Sequence, residues 1–165
     1  SIPALNNILR RATGAGPRTL VELCNEPLFR TASIASANIY ATPAEVCRFY
    51  EMLRLGGRHK DQQLFQQRTV TQAIAPQADW ARDRVLQVPM RYGLGFMLGG
   101  KYLSLYGFDS PKAFGHLGYS SNLTWCDPQR AISCCLLTNG KPFLSLEMLA
   151  WRRVVSTLTK HIPRV

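Results

Sequence analysis

Leu123-Thr124-Trp125-Cys126-Asp127-Pro128-Gln129-Arg130-Ala131-Ile132-Ser133-Cys134-Cys135-Leu136 decides how the rest of the chain is read. Two runs rich in β-branched, aromatic and other apolar residues flank four turn-forming positions, which is the signature of a hairpin. Asp-Pro opens a type I turn well, because proline sets φ at the second position and the Asp carboxylate can bond its own backbone two residues on. The pattern predicts strands over residues 121–126 and 131–138. Reading backwards, apolar residues recur with period two near 113–117, 102–106 and 94–98, and glycines mark the turns between them. An antiparallel sheet is expected.

Helical signals lie on both sides of this region. Thr42-Pro43-Ala44-Glu45 is a capping box with proline at the first helical position, so hydroxyl and carboxylate can satisfy orphan N–H groups reciprocally. Val46, Phe49, Tyr50 and Leu53 follow at i, i+3, i+4 and i+7 and predict one apolar face, ended by Gly56-Gly57. A shorter helix is expected over 67–75, with Val70 and Ile74 inward and Pro76 closing it. Leu144, Met148, Trp151, Val155, Leu158 and Ile162 make a helical stripe over 142–161 that suits packing on the sheet. Residues 1–40 read as an irregular N-terminal segment, and 41–165 as the body of a single domain. Helices first, strands next and a closing helix give an α+β class, an antiparallel sheet with flanking helices.

Composition removes several function classes. The chain has 165 residues, 46% hydrophobic and 18% charged, ordinary for one globular domain and unlike a disordered or collagenous one. No run approaches the ~20 apolar residues of a membrane span. The opening Ser1-Ile2-Pro3-Ala4 is neither a basic n-region nor an apolar h-region. Twenty Lys+Arg against 10 Asp+Glu invite a nucleic-acid reading. The cations are scattered, however, as at Arg10-Arg11, Arg54, Arg82, Arg84 and Arg152-Arg153, without a stripe or aromatic interleaving, so no nucleic-acid partner is expected. Cys24, Cys47, Cys126, Cys134 and Cys135 lack zinc spacing and read as reduced, mostly buried fillers, which leans towards a cytoplasmic compartment.

Local chemistry is sparse. Gly95, Gly100 and Lys101 fit part of a phosphate-binding loop, but Tyr102 stands where a hydroxyl should hold magnesium. His116 and Ser120 are separated by ~13 Å in an extended strand, too far for a dyad. No metal site or cofactor is implied, and His116 taken by itself reads as structural.

The whole segment Phe114-Gly115-His116-Leu117-Gly118-Tyr119, followed by residues 122–126, the Asp127-Pro128 turn and a strand ending near Asn139, resembles the C-terminal part of the serine β-lactamase-like family. That family includes class C β-lactamases, penicillin-binding proteins and carboxylesterases. In it a Lys-Thr-Gly, His-x-Gly or Trp-Gly-Gly motif lies on a strand edging the active site, ahead of an Asp-Pro hairpin. Tyr40-Ala41-Thr42-Pro43-Ala44-Glu45 with Phe49 and Met52-Leu53, Gly56-Gly57, Thr69-Val70 and Tyr92-Gly93-Leu94-Gly95-Phe96 recur there in the same order. The resemblance spans about residues 40–158 and implies a partial β-lactamase/transpeptidase-like fold.

The departure is equally informative. The family's nucleophile is the Ser of Ser-x-x-Lys, supported by a Tyr-x-Asn or Tyr-x-Ser, and this chain has no Ser-x-x-Lys. Tyr102-Leu103-Ser104 falls too late in the order to be the tyrosine motif. The expectation is either the C-terminal segment of a longer hydrolase, inactive alone, or a relative that kept the fold as a non-catalytic binding or assembly module. By the resemblance, His116, Gly118 and Tyr119 are the catalytic candidates. His116 would stand where lactamases place Lys, Gly118 would let substrate approach the backbone, and the Tyr119 N–H would be an oxyanion donor. Leu117, Tyr119 and Asn139 are the substrate-binding candidates. Imidazole is a weaker fixed cation than ammonium, which favours a small-molecule ester or amide over a β-lactam. The implied partners are that substrate and a missing N-terminal half, or a second copy through an uncovered sheet edge.

Overall fold

The computed structural model describes residues 10, 14–34, 38–84, 88–118, 122–138 and 148–165. The chain divides into two compact units, Ser1–Ala41 with Asp83–Gln87, and Thr42–Arg82 with Val88–Val165.

Among its described residues the first unit contains the short helices α1 (Pro17–Asn25) and α2 (Pro27–Thr31), where the sequence reads as irregular. Both start on proline, whose missing N–H costs nothing in a first turn. Glu26 sits between them at φ −63° and ψ 135°, because a residue before proline is pushed out of the helical region. After α2 the Asn38 amide donates to the carbonyls of Phe29 (2.8 Å) and Ala32 and accepts from the Ile34 N–H at 3.0 Å. One side chain thus folds the segment back on itself.

In the second unit the capping box forms as expected. The Thr42 N–H donates to Glu45 Oε2 at 2.7 Å, Thr42 Oγ1 accepts from the Glu45 N–H at 3.3 Å, and α3 runs Pro43–Arg54. It ends at Gly56 and Gly57, with φ of 68° and 90°, a left-handed pair that glycine adopts without a Cβ penalty. A Cβ on Gly57 would lie 2.2 Å from the Phe65 carbonyl oxygen. The chain then makes a two-stranded hairpin not read in the sequence, β1 (Arg58–His59) with β2 (Gln62–Gln63). Helix α4 (Gln67–Ile74) stops where Ala75 precedes Pro76.

Among the described residues six antiparallel strands follow in chain order: β3 (Ala78–Arg82), β4 (Pro89–Tyr92), β5 (Met97–Leu98), β6 (Phe114–Leu117), β7 (Leu123–Asp127) and β8 (Ile132–Leu136). The expected hairpin of β7 and β8 forms, paired from Asp127 opposite Ile132 to Leu123 opposite Leu136. The strand expected over 94–98 shortens to two residues. The one expected over 102–106 is a series of turns. There Gly100 lies under the Trp80 ring, and Tyr106 turns inward to stack on Trp125, centroids 6.0 Å apart. Helix α5 (Met148–His161) closes the unit with Val155 buried, and Leu144 of its expected stripe lies outside the described residues.

The core lies between α3, α4 and one face of the sheet: Tyr50, Met52, Leu53, Val70, Leu98, Phe114 and Cys126, with Val46, Ile74 and Phe96 packed around them. Each large side chain buried this way contributes on the order of 1.5–3 kcal/mol. Phe49, expected inward, is 46% exposed, and Met52 is buried at 5%. The buried stripe therefore lies to the Met52 side of the one expected.

Candidate active site

The strand carrying His116 is held differently along its length. On one side β6 pairs with β7 through all four residues: Phe114 with Cys126, Gly115 with Trp125, His116 with Thr124 and Leu117 with Leu123. On the other side β5 reaches only Phe114 and Gly115. His116 and Leu117 thus run past the end of β5, and among the described residues that edge has no ladder partner. Beyond them, the Gly118 N–H donates to the Asn122 carbonyl at 2.8 Å. The Asn122 side chain in turn accepts from the Thr138 N–H at 3.2 Å, tying the end of β8 to this corner.

Side chains alternate across a strand. His116 therefore shares the α3 face with Phe114, whereas Leu117 shares the opposite face with Gly115. Leu117 can serve a site beside His116 only through its backbone. Across from His116, the hydroxyls of Thr124 and Tyr50 lie 3.0 Å apart, and Thr124 Oγ1 is 3.5 Å from the His116 carbonyl oxygen. Burial, the main cause, raises the Tyr50 phenol pKa above its ordinary value, so it stays protonated. No sequence motif pointed to this pair. Its only trace was a threonine set between Leu123 and Trp125 in a strand.

The two glycines of β6 and its end differ in what requires them. A Cβ on Gly115 would lie 2.0 Å from the Thr124 carbonyl oxygen and 2.5 Å from the Trp125 Cβ. Packing alone dictates that glycine. A Cβ on Gly118 would meet Asn122 at 3.5 Å among the described residues, ordinary contact, and its φ is not left-handed. Tyr119, Ser120 and Asn139 lie outside the described residues.

Other reactive groups are spent on structure. Burial raises the thiol of Cys126 and pushes those of Cys134 and Cys135 up to about 11, so all three stay protonated near neutrality. Glu51 accepts from Arg54 at 2.8 and 2.6 Å and from Ser133 Oγ at 2.8 Å, which pins α3 to β8. The Arg54 bonds, foremost, hold the Glu51 carboxyl below its usual range. Among the described residues no three His, Cys, Asp or Glu converge on a metal position, and no helix is long and apolar enough to cross a membrane.

Residues 3–159 match the family model for Beta-lactamase. The chain belongs to the Beta-lactamase family. The family has the β-lactamase fold and includes esterase-like and penicillin-binding-protein-like hydrolases. The chain is similar to the esterase/beta-lactamase LipL of Mycobacterium tuberculosis, 26% identical over 125 residues that cover 74% of this chain and 27% of LipL. Among solved structures it is similar to a penicillin-binding protein homolog from Caulobacter crescentus, with 25% identity, a TM-score of 0.66, and 81% of this chain and 38% of that chain covered. A family VIII carboxylesterase shares the fold at a TM-score of 0.66 with 20% identity, covering 81% of this chain and 36% of that one. The chain thus spans about a quarter of the length of LipL and under two-fifths of these two structures.

Proposed function

We propose that this Beta-lactamase-family chain is the C-terminal segment of a serine hydrolase that transfers the acyl group of a small-molecule ester or amide through an acyl-enzyme, and that it is inactive alone. The observation that carries this reading is the end of β6. His116 and Leu117 outrun β5 and leave an open strand edge that terminates in Gly118. Such an edge offers backbone donors and acceptors to an acyl group laid along it. Acyl transfer places negative charge on the carbonyl oxygen, and preorganised N–H groups there are the main electrostatic contribution to rate. In this reading the Tyr119 N–H is one donor, Gly118 admits the substrate, and His116 orients it or tunes the proton network of the nucleophile. Asn139 is a further substrate contact. Fold and packing among the described residues give no reason for glycine at 118, which supports a role outside the chain's own core. The nucleophile and its Lys belong to a segment outside this sequence, in keeping with the absence of Ser-x-x-Lys.

Intact mass after incubation with an activated ester, and separately with a β-lactam, tests the reading. No stoichiometric adduct is expected. A hydroxylamine-sensitive adduct would show a nucleophile within this chain and overturn it. In a protein joining this chain to its Ser-x-x-Lys segment, His116→Ala should lower ester turnover, and unchanged turnover would remove His116 from the mechanism. Exposed Tyr102, Leu103 and Phe108 on one loop favour a second reading, a non-catalytic module that pairs with another chain. A clean monomer on size exclusion counts against it.

A further inference from the structure

Tyr50 is an unexpected residue for its place. It is 6% exposed and ringed by aromatics, with Phe49 at 5.7 Å, Phe114 at 6.4 Å and Phe96 at 6.5 Å between centroids. A phenylalanine would fill that cluster without a hydroxyl to desolvate. The hydroxyl is satisfied by Thr124 Oγ1 at 3.0 Å, and Thr124 stands directly opposite His116. A threonine hydroxyl carries one proton, and Thr124 Oγ1 is placed to donate it to the Tyr50 hydroxyl at 3.0 Å or to the His116 carbonyl at 3.5 Å. The two hydroxyls and that carbonyl thus form one chain of polar contacts. It runs from α3 to the one part of β6 that β5 leaves unsupported.

A strand end with a ladder on one side opens more easily than one with two. A site wall must nevertheless hold its geometry within about 0.5 Å to be useful. We infer that Tyr50 and Thr124 are positioning residues, whose hydroxyl pair anchors the His116 carbonyl and so fixes the backbone of His116, Leu117 and Gly118 at the open edge. The inference rests on the reading of that edge as the wall of the acyl site.

Amide hydrogen exchange on the chain as it stands tests the anchor without any turnover. Tyr50→Phe and Thr124→Val should each speed exchange at the Gly118 N–H, which bonds to Asn122, by roughly threefold to tenfold relative to the β7–β8 amides. Thr124→Ser should restore wild-type exchange. The double variant Tyr50→Phe with Thr124→Val should be no faster than Thr124→Val alone, since both remove one chain. Uniform acceleration across the sheet would mean a general packing role, and no change at Gly118 would mean no anchor; either overturns the inference. Should Tyr50→Phe fail to fold, the contrast of Val with Ser at 124 decides alone. In the protein completed by its Ser-x-x-Lys segment, Thr124→Val should lower kcat with KM little changed, and Ser should restore it. Unchanged kcat where His116→Ala does reduce turnover overturns positioning. Turnover indifferent to His116→Ala overturns the reading of the site instead.

Discussion

At the scale of single residues, two glycines three positions apart differ in what the packing asks of them. Gly115→Ala drives a Cβ to 2.0 Å from a backbone oxygen that cannot swing away, so it should cost about 3 kcal/mol or prevent folding. Gly118→Ala should leave the urea midpoint within experimental error of wild type, because its Cβ meets only ordinary contact among the described residues. A loss at 118 equal to that at 115 would show that the chain's own packing requires both. The thiols give a second expectation with a defined sign. Cys134 is raised from 9.0 to about 11 chiefly by burial, so at pH 8 its thiolate fraction is about 100-fold lower folded than unfolded. Iodoacetamide should label it correspondingly slowly in the native chain and quickly in urea, followed by peptide mass. A folded pKa above the unfolded one also means that this stabilising contribution is lost as pH climbs from about 9 to about 11. Of the candidate site, the sequence pointed to His116 and Gly118 only through ordered resemblance. Tyr50 and Thr124 were invisible because 74 residues separate two hydroxyls that meet only once the sheet has formed.

At the scale of elements, legibility followed how local the determining physics is. Helix α3 was readable because Thr42, Pro43 and Glu45 satisfy its first turn within four residues, and the hairpin because Asp127-Pro128 closes it locally. Thr42→Ala should therefore cost about 1 kcal/mol by chemical denaturation. Glu45 is held below its usual range, mainly by the Thr42 backbone N–H, and Glu51 likewise by Arg54. A depressed carboxyl stabilises above its unfolded pKa and ceases to as pH falls through the folded one. Unfolding free energy should then drop as pH goes below about 4.5, with a shallower slope in Glu51→Gln. A slope unchanged in that variant would sink the assignment. Strand β3 escaped notice because Ala78-Asp79-Trp80-Ala81-Arg82 has no period-two pattern and a register shift between Ala78 and Ala81. The false strand over 102–106 arose the opposite way. Alternation was present in the letters, but Gly100 pressed against Trp80 and Tyr106 stacked on Trp125 bend the backbone into turns. Short helices α1 and α2 were missed because neither is long enough to show a stripe.

At the scale of the whole molecule, a net charge of +10 tells little, since most cations lie scattered on the surface, yet one of them organises the second unit. Arg130 is buried beside Asp127, their ion pair 2.6 Å long with side chains 6% and 1% exposed. Its Nε donates to the Ile162 carbonyl at 3.1 Å, and the same Nη1 that holds Asp127 also reaches the Asp109 carbonyl at 3.1 Å and Ser110 Oγ at 3.4 Å. One guanidinium therefore joins the β7–β8 turn, the loop before β6 and the residue following α5. The tail adds to the same junction, through Arg164 to Asp109 at 2.7 Å and the Val165 N–H to the Gln129 carbonyl at 2.9 Å. Removing one partner of a buried pair leaves an uncompensated charge, so Arg130→Ala should cost about 3–5 kcal/mol. Arg130→Lys should recover little of it, because an ammonium cannot spread planar donors over carboxylate, hydroxyl and carbonyls together. Replacing both partners, Asp127→Asn with Arg130→Met, should be milder than Arg130→Ala alone, since no buried charge remains. Urea denaturation of the three variants orders them, and limited proteolysis should first cut Arg130→Ala after α5. A loss below about 1 kcal/mol for Arg130→Ala would mean that the apolar core around Phe114 and Trp125 holds these segments unaided.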